Sequence, residues 1–280
     1  GTPARPNLVM FITDHQRFDM APPFSRAVTP NLDRFYRRAT AFTSAYCPAP
    51  HCCPSRATIF SGLYPTEHGV WNNVNVGNSL SRGPYAGVRL WSQDLADAGY
   101  RMGFAGKWHV SDEEGPGDRG FQRVYDPKTN YRRQEPGYHP PTTYEWDVYY
   151  KDYDRMLRQV ESYINPLGRD PDGRRQPSQI LRKGYPNYTF YGKRDNPFGD
   201  GNTVDRALEI LDGLMDDPEA GTRPFMMYCG TVGPHDPYYA PQEFLDLYRD
   251  LDVRLPENFR DSFLDKPNLH RRLKGLYAQM

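Results

Sequence analysis

Asn7-Leu-Val-Met-Phe-Ile-Thr13, running straight into Asp14-His15, is the stretch on which the fold turns. A continuous apolar run of this length reads as a strand buried on both faces of a parallel sheet, and it stops on two residues that carry chemistry. The pattern recurs twice. Tyr100 to Ala105 reads as a strand ending in Gly106-Lys107-Trp108-His109, and Pro224 to Thr231 as one ending in Gly233-Pro234-His235-Asp236. Helical spacing fills the intervals. Thr29 precedes Pro30, and Leu32, Phe35, Tyr36 and Ala39 follow at helical steps. Leu90, Trp91, Leu95 and Ala98 line a helix closed by Gly99, and Val204, Ala207, Leu208, Leu211 and Leu214 form another after Asn202-Thr203. Ala41 to Ala45 reads as a further strand. Strands alternating with helices predict an α/β fold, a mostly parallel central sheet with helices on both faces. Ligands of such sheets sit at the carboxyl ends of the strands. Three strands delivering Asp/His, Lys/His and His/Asp there point to one shared site.

The chain has 280 residues, enough for one large α/β domain or two small ones. Its 35 Lys and Arg balance 35 Asp and Glu, which removes the charge footprint of a nucleic-acid binder and makes any anion site local. The mean hydropathy is -0.83, and no apolar run approaches the ~20 residues of a bilayer span, so a soluble protein is expected. Four cysteines are too few for a disulfide scaffold and leave the redox compartment open. No signal peptide is visible, and a cytoplasmic location is expected ahead of a periplasmic or secreted one. Residues 111–200 differ from the rest, with 15 Lys and Arg, 15 Asp and Glu, 10 prolines and 11 tyrosines. They read as a loop-rich insertion. Its tyrosines serve as packing for a long excursion or as platforms for a sugar or aryl group.

The densest chemical signal is His51-Cys52-Cys53-Pro54-Ser55-Arg56-Ala57-Thr58-Ile59-Phe60-Ser61-Gly62. Pro54 is suited to the first position of a helix, which places Cys52 just ahead of the N-terminus, where free N–H groups favour an anion and lower a thiol pKa. Arg56, one turn in, offers a planar fork of donors for a tetrahedral oxyanion. A buried cysteine pair before an ordinary helix is the alternative from local residues. A cysteine phosphatase loop needs five residues between Cys and Arg, and three separate Cys52 from Arg56.

C-x-P-S-R followed by a glycine six residues later resembles the sulfatase family of the alkaline phosphatase superfamily. The order of the other motifs is similar too: Arg5 to Asp14, Thr29-Pro-Asn-Leu-Asp33, Gly106-Lys-Trp-His109 and Gly233-Pro-His-Asp-Pro237. The resemblance runs from residue 5 to about 240, with little match in the insertion. It implies that Cys52 is oxidised to formylglycine by a separate formylglycine-generating enzyme, with Cys53 at the variable position. The hydrated aldehyde then attacks sulfur, releases the alcohol and expels sulfate through its second hydroxyl. It further implies a calcium ion, with magnesium or manganese as alternatives, held by Asp14, by His15 and by the group at 52. His15 departs from the family pattern, which has a second Asp or a Gln there. An imidazole at that place ligates through nitrogen, shifts the metal preference, or leaves the shell. Arg56 corresponds to the residue bracing the formylglycine, Lys107 and His109 to cationic groups on the sulfate and leaving oxygen, and His235 to a general acid. Asn73 and Asp236 fall at substrate-binding positions.

The implied activity is hydrolysis of a sulfate monoester, a sulfated carbohydrate or an aryl sulfate. A phosphonate or phosphate ester hydrolase of the same superfamily is the first alternative. A non-catalytic protein binding sulfated glycans is the second. The resemblance makes residues 1–280 the N-terminal part of a catalytic domain. Sulfatases continue past a helix like Asn268 to Met280, so downstream polypeptide or a companion chain is expected to complete the metal site and cover the sheet edge.

Overall fold

The computed structural model describes residues 5–75, 79–126, 179–182, 185–189 and 200–235, together with 244, 246–248, 250–251, 258 and 261–267. Most of the expected insertion lies outside the described residues. The chain divides into two compact units, Gly1–Tyr144 with Asp195–Tyr238, and Glu145–Arg194 with Tyr239–Met280. In the second, β4 (Gln179–Arg182) and β5 (Tyr185–Thr189) form an antiparallel pair.

The first unit holds β1 (Leu8–Ile12), β2 (Arg101–Gly106), β3 (Arg123–Tyr125) and β6 (Phe225–Gly230) in one sheet. Their order is β1-β6-β2-β3, every pair parallel. The expected α/β architecture is therefore present. β2 and β6 occupy the middle and are buried at every residue, which is why both read as runs without charge apart from Arg101, whose guanidinium donates to Leu214 O and Arg223 O. One face is covered by α2 (Cys52–Ser61) and α4 (Trp91–Asp97). The other is covered by α5 (Asp200–Met215), which packs on β2, β6 and β3. On the α2 face Phe104 and Tyr228 stack at 4.7 Å, and Phe60 sits among Trp91, Trp108 and Tyr228. Each such ring, fully buried, contributes about 1.5–3 kcal/mol.

Three expectations are corrected. β1 is an edge strand whose residues alternate: Leu8, Met10 and Ile12 face the core, while Val9 and Phe11 are 64% and 58% exposed. The exposed pair is in register with Met227 and Cys229, on the face that α5 covers only over the strands further in. Ala41 to Ala45 forms no strand; no neighbour pairs with it, and Phe42 is exposed. α2 begins at Cys52 with His51 as its cap, so Pro54 is the third helical residue. The first intrahelical bond runs from Ser55 N–H to His51 O, and the missing N–H of Pro54 removes none. The short α1 (Pro30–Tyr36) and α3 (Pro65–His68) complete the described α-helices of this unit.

The carboxyl ends of three strands are drawn together by backbone. Thr231 N–H donates to Ile12 O and Asp14 N–H to Gly233 O, joining the ends of β1 and β6. Lys107 N–H donates to Gly230 O. Gly106 has φ +106, and a Cβ there would lie 2.0 Å from Gly230 O, so only glycine lets β2 turn toward Lys107.

Candidate active site

Asp14, at the end of β1, is the hub. Its side chain is 6% exposed, and its Oδ2 accepts from Arg56 Nη2 at 3.0 Å and from Lys107 Nζ at 2.8 Å. Its Oδ1 accepts the Cys52 S–H at 3.6 Å. Burial alone would raise the carboxyl pKa, but the charges of Lys107 and Arg56 outweigh it and bring it down to about 2. Arg56 is itself fixed on its other side, where Nη1 donates to Lys107 O at 2.8 Å and to the Tyr228 hydroxyl at 2.9 Å. One carboxylate between two cations leaves one positive charge in excess, in a place largely shielded from water. Such a wall holds an anion.

Cys52 lies in the first turn of α2, half-buried. Its thiol pKa is raised, first by burial and also by the Asp14 carboxylate, against the lowering effect of Lys107 and Arg56. The expectation that the helix N-terminus lowers it is therefore corrected. The unmodified residue is a thiol at neutral pH, which suits it to modification better than to attack as a thiolate. Cys53 points into the core, accepts Val74 N–H at 3.4 Å, and burial pushes its thiol up to about 12. Asn73 Oδ1 accepts the Cys53 N–H at 3.1 Å and so caps the start of α2.

His235 follows β6, and its ring atom lies with Asp14 and Cys52 in a group whose donor atoms are all within 4.8 Å of one another. His15 packs edge-on against His235, ring centroids 5.8 Å apart. His109, two residues past Lys107, pairs through Nε2 with Asn75 Oδ1 at 3.0 Å. Both His15 and His109 hold left-handed backbone, φ 62° and 54°, at the two strand ends where the chain turns sharply. Asp236 lies outside the described residues. Three residues that contribute here are absent from the sequence reading: Tyr228 behind Arg56, Asn75 on His109, and Asp200. The Asp200 carboxylate accepts the N–H groups of Val232 at 2.8 Å and Gly233 at 2.6 Å, holding the loop that carries His235. For Asp200 the available signal is an acidic residue at a helix start.

With residue 52 as a thiol, the described donor atoms do not fit calcium. That ion takes ~6–8 oxygens, and here one carboxylate, already carrying two cations, stands beside a thiol and an imidazole.

A parallel sheet layered by helices carries, past the carboxyl ends of its strands, two cations on one carboxylate beside the cysteine of a C-x-P-x-R motif, an arrangement suited to an anion. The sulfatase family profile covers residues 6–277, and the chain belongs to that family. It is 28% identical over 284 residues to the uncharacterized sulfatase YidJ of Escherichia coli strain K12, covering 98% of this chain and 47% of that protein. It is 34% identical to arylsulfatase A of Homo sapiens over 124 residues, 42% of this chain and 24% of that one. Among solved structures, a putative sulfatase yidJ from Bacteroides fragilis aligns over 100% of this chain and 58% of its own, with a TM-score of 0.53 at 19% identity. Ps i-CgsB in complex with k-i-k-neocarrahexaose gives 0.58 at 20% identity, over 90% of this chain and 50% of that one. The chain spans about half the length of the relatives that it matches end to end. Among the described residues no helix is long and apolar enough to cross a membrane.

Proposed function

We propose that this protein hydrolyses a sulfate monoester, a sulfated carbohydrate or an aryl sulfate, at residue 52. The observation that carries the reading is the excess positive charge of Arg56 and Lys107 around Asp14, directly beside the modifiable cysteine. A formylglycine at 52, installed by a formylglycine-generating enzyme that reads C-x-P-x-R, would supply as its hydrate one hydroxyl for attack and a second for releasing sulfate. The position suits the group: an aldehyde is smaller than the thiol it replaces, and the side chain already points at Asp14. Lys107 and Arg56 orient the sulfuryl oxygens and offset their charge. His109 holds the leaving oxygen, and His235 carries the proton that the departing alcohol takes up. Asn73 and Asp236 would bind the substrate. A hard cation, calcium with magnesium or manganese as substitutes, would use Asp14, the group at 52 and His15 as one wall. Its other oxygen donors would come from downstream polypeptide or a companion chain. The same segment would cover Val9 and Phe11.

The family membership and the arylsulfatase relatives support sulfate over phosphonate or phosphate. The test is parallel kinetics on an aryl sulfate and an aryl phosphonate. Faster sulfate turnover is expected. Preference for phosphonate assigns the site to the other ester class, and absence of turnover with fully converted Cys52 leaves a protein that only binds sulfated glycans.

A further inference from the structure

The mismatch between the donor atoms and calcium points elsewhere. We propose that the chain, while residue 52 is still cysteine, holds a zinc ion between Asp14 Oδ1, Cys52 Sγ and His235. Carboxylate, thiolate and imidazole are the three donors that zinc takes, in the number that leaves a fourth position for water. Thiolate and imidazole also rank the thiophilic cations far above calcium or magnesium.

The geometry supports the choice. A tetrahedral zinc with Zn–O of about 2.0–2.2 Å and Zn–S of about 2.3 Å sets oxygen and sulfur about 3.5 Å apart. Asp14 Oδ1 and Cys52 Sγ stand 3.6 Å apart, and the donor atom of His235 lies within 4.8 Å of both. Lys107 and Arg56 occupy the other carboxylate oxygen, Oδ2, and so orient Oδ1 without competing for it. The edge-on contact with His15 sets the tilt of the His235 ring. Binding replaces the Cys52 thiol proton, which leaves to solvent, with one zinc–sulfur bond, and the new thiolate offsets one of the two charges that the ion brings. Oxidation of Cys52 removes the sulfur and dissolves the site, so the metal preference of residue 52 changes with its maturation. The zinc site belongs to the unconverted chain and is tested without any turnover, so its failure and that of the proposed hydrolysis are separate results.

Protein carrying unconverted Cys52, verified by mass, is stripped of metal and titrated with cobalt(II). One equivalent is expected to produce a sulfur-to-cobalt charge-transfer band that zinc abolishes stoichiometrically and a large excess of calcium leaves in place. Cys52→Ser removes the band, Cys53→Ser keeps it, and His235→Ala weakens zinc binding at least about tenfold. Zinc also protects Cys52 in the unmutated chain from alkylation, a readout that needs no variant. A band that survives in Cys52→Ser, zinc binding untouched by His235→Ala, or alkylation of Cys52 unaffected by zinc would overturn the proposal.

Discussion

Lys107 Nζ stands 2.8 Å from Asp14 Oδ2, an ion pair that joins the carboxyl ends of β2 and β1 across the intervening β6. With Arg56 on the same oxygen, the carboxyl titrates at about 2 instead of 3.8. A depressed carboxyl stabilises the fold above its unfolded pKa and loses that contribution as pH falls through the folded value. About 2 kcal/mol should therefore vanish between about pH 4 and pH 2, at 1.36 kcal/mol for each unit. Urea denaturation across this range measures it. Asp14→Asn, which strands two buried cations, should be less stable at neutral pH by about 3 kcal/mol and show a shallower acid slope. A slope equal to that of the unmutated protein contradicts the assignment.

Thiol reactivity follows burial. Cys47 is exposed, whereas burial pushes Cys53 up to about 12 and Cys229 up to about 11. At mildly alkaline pH, iodoacetamide should label Cys47 in the folded protein and reach Cys53 and Cys229 only after unfolding. Peptide mass spectrometry reads the order, and early labelling of Cys53 would place it outside the core.

Tyr228→Phe keeps the stack on Phe104 and removes only the hydroxyl that accepts from Arg56. A hydrogen bond to a charged group is worth about 1.5–3 kcal/mol, so we expect kcat to fall about tenfold with KM little changed. Tyr228→Leu should add a stability loss of about 3 kcal/mol, since it deletes the ring. Equal kcat for Tyr228→Phe and the unmutated protein would show that Arg56 needs no such support.

How much of this is legible in the sequence depends on what each residue answers to. β2 and β6 are readable because strands buried on both faces carry, Arg101 apart, no charged residue at any step, and α5 because its apolar face repeats at helical spacing. β1 misleads, since Val9 and Phe11 are as apolar as their buried neighbours although α5 does not reach them. Ala41 to Ala45 has strand composition and no partner, and pairing is a tertiary fact. Arg56 and Cys52 stand in a dense local motif. Tyr228 gives the same signal as any core aromatic, and Asn75 and Asp200 are polar residues near turns whose partners lie far along the chain. Only closure of the sheet brings them to His109 and to the loop of His235.

Asp200→Ala frees the N–H groups of Val232 and Gly233, both within three residues of His235. The expected loss is about 1–3 kcal/mol of stability, and a fall in kcat larger than that of an exposed control such as Asp205→Ala. Asp200→Asn, which retains an accepting oxygen, should recover part of both. Unchanged kcat in Asp200→Ala would separate the loop from the chemistry.

The central claim is that residue 52, once oxidised, is the group at which a sulfate ester is cleaved. It is tested most directly by the initial rate of aryl sulfate hydrolysis by the complete polypeptide, measured against the fraction of Cys52 converted. That fraction is read from the loss of about 18 Da on the Cys52 peptide, the difference between thiol and aldehyde. The rate should rise in proportion to that fraction, extrapolate to zero without conversion, and persist in Cys53→Ala. A rate independent of the converted fraction, or one retained in Cys52→Ala, would contradict it.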